Sequence, residues 1–209
     1  MSFALNEVEA LAKRASRGAG YSWGLAEEAA KATRWLCARH LDGCAALGAL
    51  LEANLAESLR DHMPVAIGKN WQGATLLCPL STGATLSDFA VQVVRNSAVL
   101  EDVIQPTLIL PFVAYAARQT ATCLVVTCGG TEATTDGFFL NISKPFPKHA
   151  AKLTVRAHGT VSGQPPLASR ASPAPEVWAT LNRFAHRTYA PATEQSRMLG
   201  AGAGLSDND

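Results

Sequence analysis

The run Cys78-Pro-Leu-Ser-Thr-Gly-Ala-Thr-Leu-Ser-Asp88 gathers a thiol, hydroxyl residues around Gly83 and a closing aspartate in one short stretch. An apolar strand ending at Leu80 and a helix opening near Ser87 would place backbone N–H groups and the Ser81 and Thr82 hydroxyls where an anion can dock. The competing reading is an ordinary strand-to-helix turn, with Ser87 as cap and Asp88 serving the helix dipole. Near the other end, His186, Arg187, Tyr189, Glu194, Ser196 and Arg197 follow one another closely. Arg187 and Arg197 suit bidentate bonding to a carboxylate, sulfonate or phosphate. His186 and Arg187 equally suit the last turn of a helix, where cations complement the dipole. The candidate ligand-binding set is Ser81, Thr82, Asp88, Arg187, Tyr189 and Arg197.

Cys78 and Cys128 stand at the ends of predicted strands, and Cys128 precedes two glycines with Glu132 and Asp136 beyond. A thiol there serves as acid, base or nucleophile when its pKa is lowered, and otherwise simply packs. Cys37, His40 and Cys44 have spacings compatible with one helical face, but Asp42-Gly43 breaks the helix between them. His62, His149, His158 and His186 form no tight motif and no C-x-x-C occurs, so no metal site is expected. The glycines of GAGYSWG follow a helix and are misspaced for a dinucleotide loop. They read as an interhelical turn with Tyr21 and Trp23 packed beneath it.

The elements that must hold these groups follow from pattern. Leu5, Val8, Leu11, Ala12 and Ala15 share one helical face, with Asn6 and Glu9 in capping-box positions, a Glu9–Lys13 pair and Gly18 as the stop. A second helix opens at a Ser22 cap with Glu27 and Glu28 in its first turn, and a third follows Asp42-Gly43. From Met63 the period changes. GATLLCPL, TCLVVTC, DGFFLNIS and KLTVRAHGTV read as strands, with CGGTEATTDG as a hairpin loop. SDFAVQVVRNSAVLED leans to helix, and PTLILPFVAYAARQT fits a buried segment of either type. SGQPPLASRASPAPE reads as a surface linker before a helix begun by Pro175, with Val177, Trp178, Leu181 and Ala185 inward. The order of helices, strands and a final helix predicts an α+β fold with a central mixed or mostly antiparallel sheet. We expect one domain over residues 1–199, helical to about residue 60 and strand-rich over 63–162, with 200–209 a glycine-rich tail or lid.

Composition bounds the function classes. The chain has 209 residues, 48% hydrophobic and 17% charged, with a net charge of +1. Charges of both signs are interspersed, so nucleic acid has no electrostatic footprint. The longest apolar run, Thr107 to Ala117, is too short to span a bilayer. The first residues lack the pattern of a secretory signal. Five cysteines at irregular spacing suit reduced thiols in a cytoplasm better than a disulfide framework.

NEVEALAKRASRGAGYSWGLAEEAAKATRWL near the start, with HRTYAPATEQSRMLGAGAGLSDND at the end, resembles a bacterial family known as a domain of unknown function. The resemblance implies a free-standing bacterial protein of about this length and supplies no cofactor and no catalytic residues. The first fifty-odd residues are also similar in shape to the N-terminal helices of malate/lactate dehydrogenase-like oxidoreductases. Where that family carries Ser-His-Gly, this chain reads His40-Leu41-Asp42-Gly43-Cys44, so the similarity implies no nicotinamide site. Two functions fit these residues: a binder of a small anionic metabolite, with or without an enzymatic action on it, or a non-catalytic accessory subunit. Either leaves a homo-oligomer open.

Overall fold

The amphipathic spacing of the first residues folds as it reads. In helix α1, Leu5–Gly18, the residues Val8, Leu11, Ala12 and Ala15 are buried. The computed structural model describes residues 1–163 and 166–189. The cap of α1 sits earlier than expected: Glu7 Oε2 accepts from the Ala4 N–H at 2.6 Å. Glu9 turns away from Lys13. It binds Arg34 at 2.6 Å, while Lys13 binds Glu27 at 2.7 Å. Both partners lie on α2, Trp23–Ala38, so the neighbouring helix replaces the expected i,i+4 pair. Ser22 caps α2 as predicted, accepting from the Leu25 N–H at 3.3 Å. In the turn between them Tyr21 is buried, but Trp23 is 65% exposed, lying under the Arg17 guanidinium instead of beneath the turn.

Helix α3, Gly43–Glu52, is capped by Asp42, which accepts from the Ala45 N–H at 2.9 Å. A Cβ at Gly43 would lie 2.6 Å from the Thr33 carbonyl oxygen, so only glycine lets α3 start against α2. A 3-10 helix, Leu55–His62, then leads to the edge strand β2, Asn70–Trp71.

The segment from Cys78 corrects two expectations. Pro79–Asp88 is helix α4, with Pro79 in the first turn and Leu80, Gly83 and Leu86 buried. Proline fits there because its missing N–H is not needed in a first turn. Thus GATLLCPL is not a strand, and Ser87 lies in the last turn of a helix instead of capping one. A second helix, α5, covers Ala90–Asn96, as leaned to, and stops at Ser97, whose φ of 59° is left-handed. Strand β3, Ala98–Ile104, takes up residues 98–102, expected to continue that helix. A 3-10 turn, Pro106–Ile109, introduces α6, Leu110–Thr120, most of whose side chains are buried. Its first eight residues, Leu110 to Ala117, are apolar on every side, and such a stretch belongs inside. It packs on the sheet, on α4 and on α2.

The remaining strands are β4 Leu124–Cys128, β5 Thr131–Thr135, β6 Leu140–Ile142 and β7 His149–Ala157. The sheet order is β2-β3-β7-β4-β5-β6, parallel at β2–β3 and antiparallel elsewhere. Gly129 and Gly130, at φ 56° and 76°, make a two-residue hairpin turn, so TEATT is a strand and not the loop it was expected to be. The proline-rich linker is pinned at β8, Arg170–Ala171, which pairs with β1, Phe3–Ala4. Helix α7, Pro175–His186, then packs on α1 and α3. One cluster of buried side chains among the described residues runs from Val8 to Ala185. The fold is α+β, with α6 between the sheet and the outer helices.

Candidate functional site

Between α3 and α7 the chain leaves a surface cleft of about 540 Å³. Ala45, Ala46, Gly48 and Ala49 of α3 form one wall, and Val177 and Thr180 of α7 form another. Gln105 and Thr107 at the end of β3, Ile142 of β6, and Pro145, Phe146 and Lys148 beyond it close it from the sheet side. The walls are mainly apolar and small. Charge collects at the rim, in Asp42, Glu52, Glu176 and Lys148. Asp42 is committed to capping α3, and Glu52 binds Arg183 at 2.6 Å. His40 Nε2 lies 2.9 Å from the Pro166 carbonyl oxygen. Glu176 and Lys148 make no ion pair and no side-chain hydrogen bond among the described residues.

Gly48 is informative. A Cβ there would meet Thr180 Cγ2 at 3.8 Å, an ordinary contact, so packing does not require glycine in this helix interior. Gly48→Ala should therefore stabilise the protein by about 0.5–1 kcal/mol, read as a raised urea midpoint with an unchanged slope.

The residues singled out from the sequence are placed apart. Ser81 and Thr82 are buried in α4, not in a loop; Ser81 Oγ donates to the Cys78 carbonyl at 3.3 Å, and Thr82 Oγ1 is buried without a partner. Asp88 is exposed at the C-terminal end of that helix. Arg187 follows α7, lies over the Phe184 ring at 4.4 Å, and lines a second cleft with Glu52, Glu57 and Arg183. Tyr189 Oη accepts from Arg14 Nη1 at 2.7 Å. Arg197 and the 200–209 tail lie outside the described residues. The buried hydroxyls and Arg187 are therefore not brought into one site.

The thiols are also redistributed. Cys78 is buried against Tyr21, with Oη 3.5 Å from Sγ, and burial raises the Tyr21 pKa far above its ordinary value. Burial pushes Cys128 up to about 11. No hydrogen bond joins Cys78 to Cys128. Cys37 and Cys44 do meet, Sγ to Sγ at 3.9 Å. Among the described residues no group of three or more His, Cys, Asp and Glu is placed to hold a metal ion. The interhelical contact of Cys37 with Cys44 had a signal in the sequence: a helix end followed by the Asp42-Gly43 cap folds the second cysteine back onto the first.

These buried groups give a pH prediction. Burial raises Cys128 from 9.0 to about 11 and Tyr115 from 10.0 to about 12. The folded protein holds both protons more tightly than the unfolded chain, so their contribution is complete below about pH 9 and is lost as pH rises toward 12. Urea midpoints should fall over that window, and tyrosine absorbance should titrate late in the folded state.

Residues 3–100 match the model of a family described as protein of unknown function (DUF3726). That segment is a domain of unknown function. It contains α3 and both Cys37 and Cys44, whereas α7 lies beyond the match. No curated protein and no solved structure matches the chain. Among the described residues, no helix is long and apolar enough to cross a membrane.

Proposed function

We propose that this is a bacterial cytoplasmic protein that binds a small metabolite in the cleft between α3 and α7. The sequence alone favoured an anionic ligand. The rim favours a molecule carrying both a carboxylate and an ammonium group, because among the described residues Glu176 and Lys148 are its two charges without an ion pair or side-chain hydrogen bond. A purely anionic molecule would face Asp42, Glu52 and Glu176 against one lysine. A zwitterion satisfies both Lys148 and Glu176 while its apolar body covers the alanine wall. Such a cleft, largely apolar with a few polar groups at its edge, is the usual form of a small-molecule site. The uncommitted pair over that wall is the observation that carries the reading.

Calorimetric titration with a panel of α- and ω-amino acids, with dicarboxylates as comparison, tests it. Lys148→Ala and Glu176→Gln should each weaken zwitterion binding by about tenfold, the cost of losing one charge-assisted contact. Tighter binding of dicarboxylates, insensitive to Glu176→Gln, would return the ligand to the anionic class. A second reading, an accessory subunit, is favoured by Met63, Val65 and Ile67, which are exposed just before the edge strand β2. Light scattering separates the two: a dimer dispersed by Val65→Asp supports the subunit reading, and a monomer removes it.

A further inference from the structure

The turn between α2 and α3 holds two thiols in a shape that chemistry can use. Cys37 lies in the last turn of α2 and Cys44 in the first turn of α3. His40, at φ 61°, reverses the chain, and Gly43 lets α3 begin where a side chain would clash, its would-be Cβ lying 2.6 Å from the Thr33 carbonyl oxygen. The sulfurs come to rest 3.9 Å apart, and a disulfide brings them to about 2.05 Å. The two are not equivalent. Cys44 is fully buried, whereas Cys37 retains 6% exposure. Both cysteines line a surface cleft of about 350 Å³, with His40, Asp42, Arg170 and Ser172 among its walls.

We propose that Cys37 and Cys44 form a thiol–disulfide exchange centre for a low-molecular-weight disulfide, with Cys37 attacking and Cys44 resolving. The Cys37 thiolate attacks one sulfur of the disulfide. That S–S bond breaks, one thiolate leaves and takes up a proton, and a mixed disulfide remains on Cys37. Cys44 then loses its proton to water and attacks Cys37 Sγ; the mixed S–S bond breaks and the second thiolate leaves. Two protein thiols are oxidised to one disulfide, and one small disulfide is reduced to two thiols. The division of roles agrees with the environment: the hydrogen bond with Cys44 lowers the Cys37 pKa, while the same bond and burial raise that of Cys44. Cys78 and Cys128 are buried without a thiol neighbour, and burial raises the Cys123 pKa.

The test uses the reduced full-length protein and glutathione disulfide as probe, with quenching by alkylation under denaturing conditions. Tryptic cleavage at Arg39 separates the two cysteines, into peptides 35–39 and 40–60. The proposal predicts that these peptides stay joined by a disulfide until dithiothreitol is added, and that two of the five thiols are lost. Cys44→Ala should hold a glutathione adduct on Cys37, and Cys37→Ala should form any adduct at least about tenfold more slowly. Full alkylation of both residues in the parent protein overturns the proposal, as does an adduct found first on Cys44. The parent's joined peptides decide the matter even if a variant fails to fold.

Discussion

Gly18→Ala should destabilise the protein by about 3 kcal/mol, near the upper end for overpacking. A Cβ at this position would lie 1.8 Å from the Phe184 carbonyl oxygen, 2.8 Å from its carbon and 3.3 Å from Arg187 Cβ. The obstructing atoms are mainly backbone, so no rotamer change relieves the overlap. Helix α7 would have to move off α1 as a body. That movement also reaches the cleft, since Glu176, Val177 and Thr180 of α7 line it. Ligand affinity should therefore fall with stability. Gly24→Ala is the matched comparison, because nothing lies within 4 Å of its Cβ; it should stay within about 1 kcal/mol of the parent or gain. Urea unfolding followed by circular dichroism reads both. Equal midpoints for the two variants would mean that α7 does not sit where the fold places it.

Gly48→Leu should abolish binding in the α3–α7 cleft, with a loss of at least about 100-fold in affinity. Alanine at this site gains an ordinary contact with Thr180, but an isobutyl group must extend into the space between the helices. The helix itself should tolerate the change, since leucine is a strong helix former. Stability and binding are then expected to move independently: Gly48→Ala raises the first, and Gly48→Leu removes the second. A Gly48→Leu protein that unfolds early would instead mean that the wall is packed more tightly than the cleft volume allows.

What could be read from the sequence follows the range of the interactions. Helices α1, α2, α3 and α7 declare themselves through apolar spacing and through Ser22 and Pro175 at their starts. The Cys78–Asp88 run misleads because hydroxyls, glycine and proline are also turn residues. Pro79 in a first turn, and Ser81 and Thr85 bonding back to the carbonyls of Cys78 and Ser81, satisfy those side chains within a helix. The position of the hairpin turn was missed by a few residues, because Thr131–Thr135 alternates burial without large apolar side chains. The cleft was out of reach for another reason. Its walls come from α3, the end of β3, the β6–β7 connection and α7, and only tertiary packing brings Lys148 and Glu176 to one rim. Cys37 and Cys44 lie between these cases, close enough in sequence to be weighed with His40 as metal ligands and set aside because Asp42-Gly43 breaks the helix between them.

Isothermal titration calorimetry of the parent protein and Gly48→Leu, with the amino-acid panel, tests the central claim most directly. Saturable one-site binding of a zwitterion by the parent, lost in Gly48→Leu while the fold persists, is the predicted result. Binding that survives Gly48→Leu undiminished, or no zwitterion binding by the parent, would contradict it.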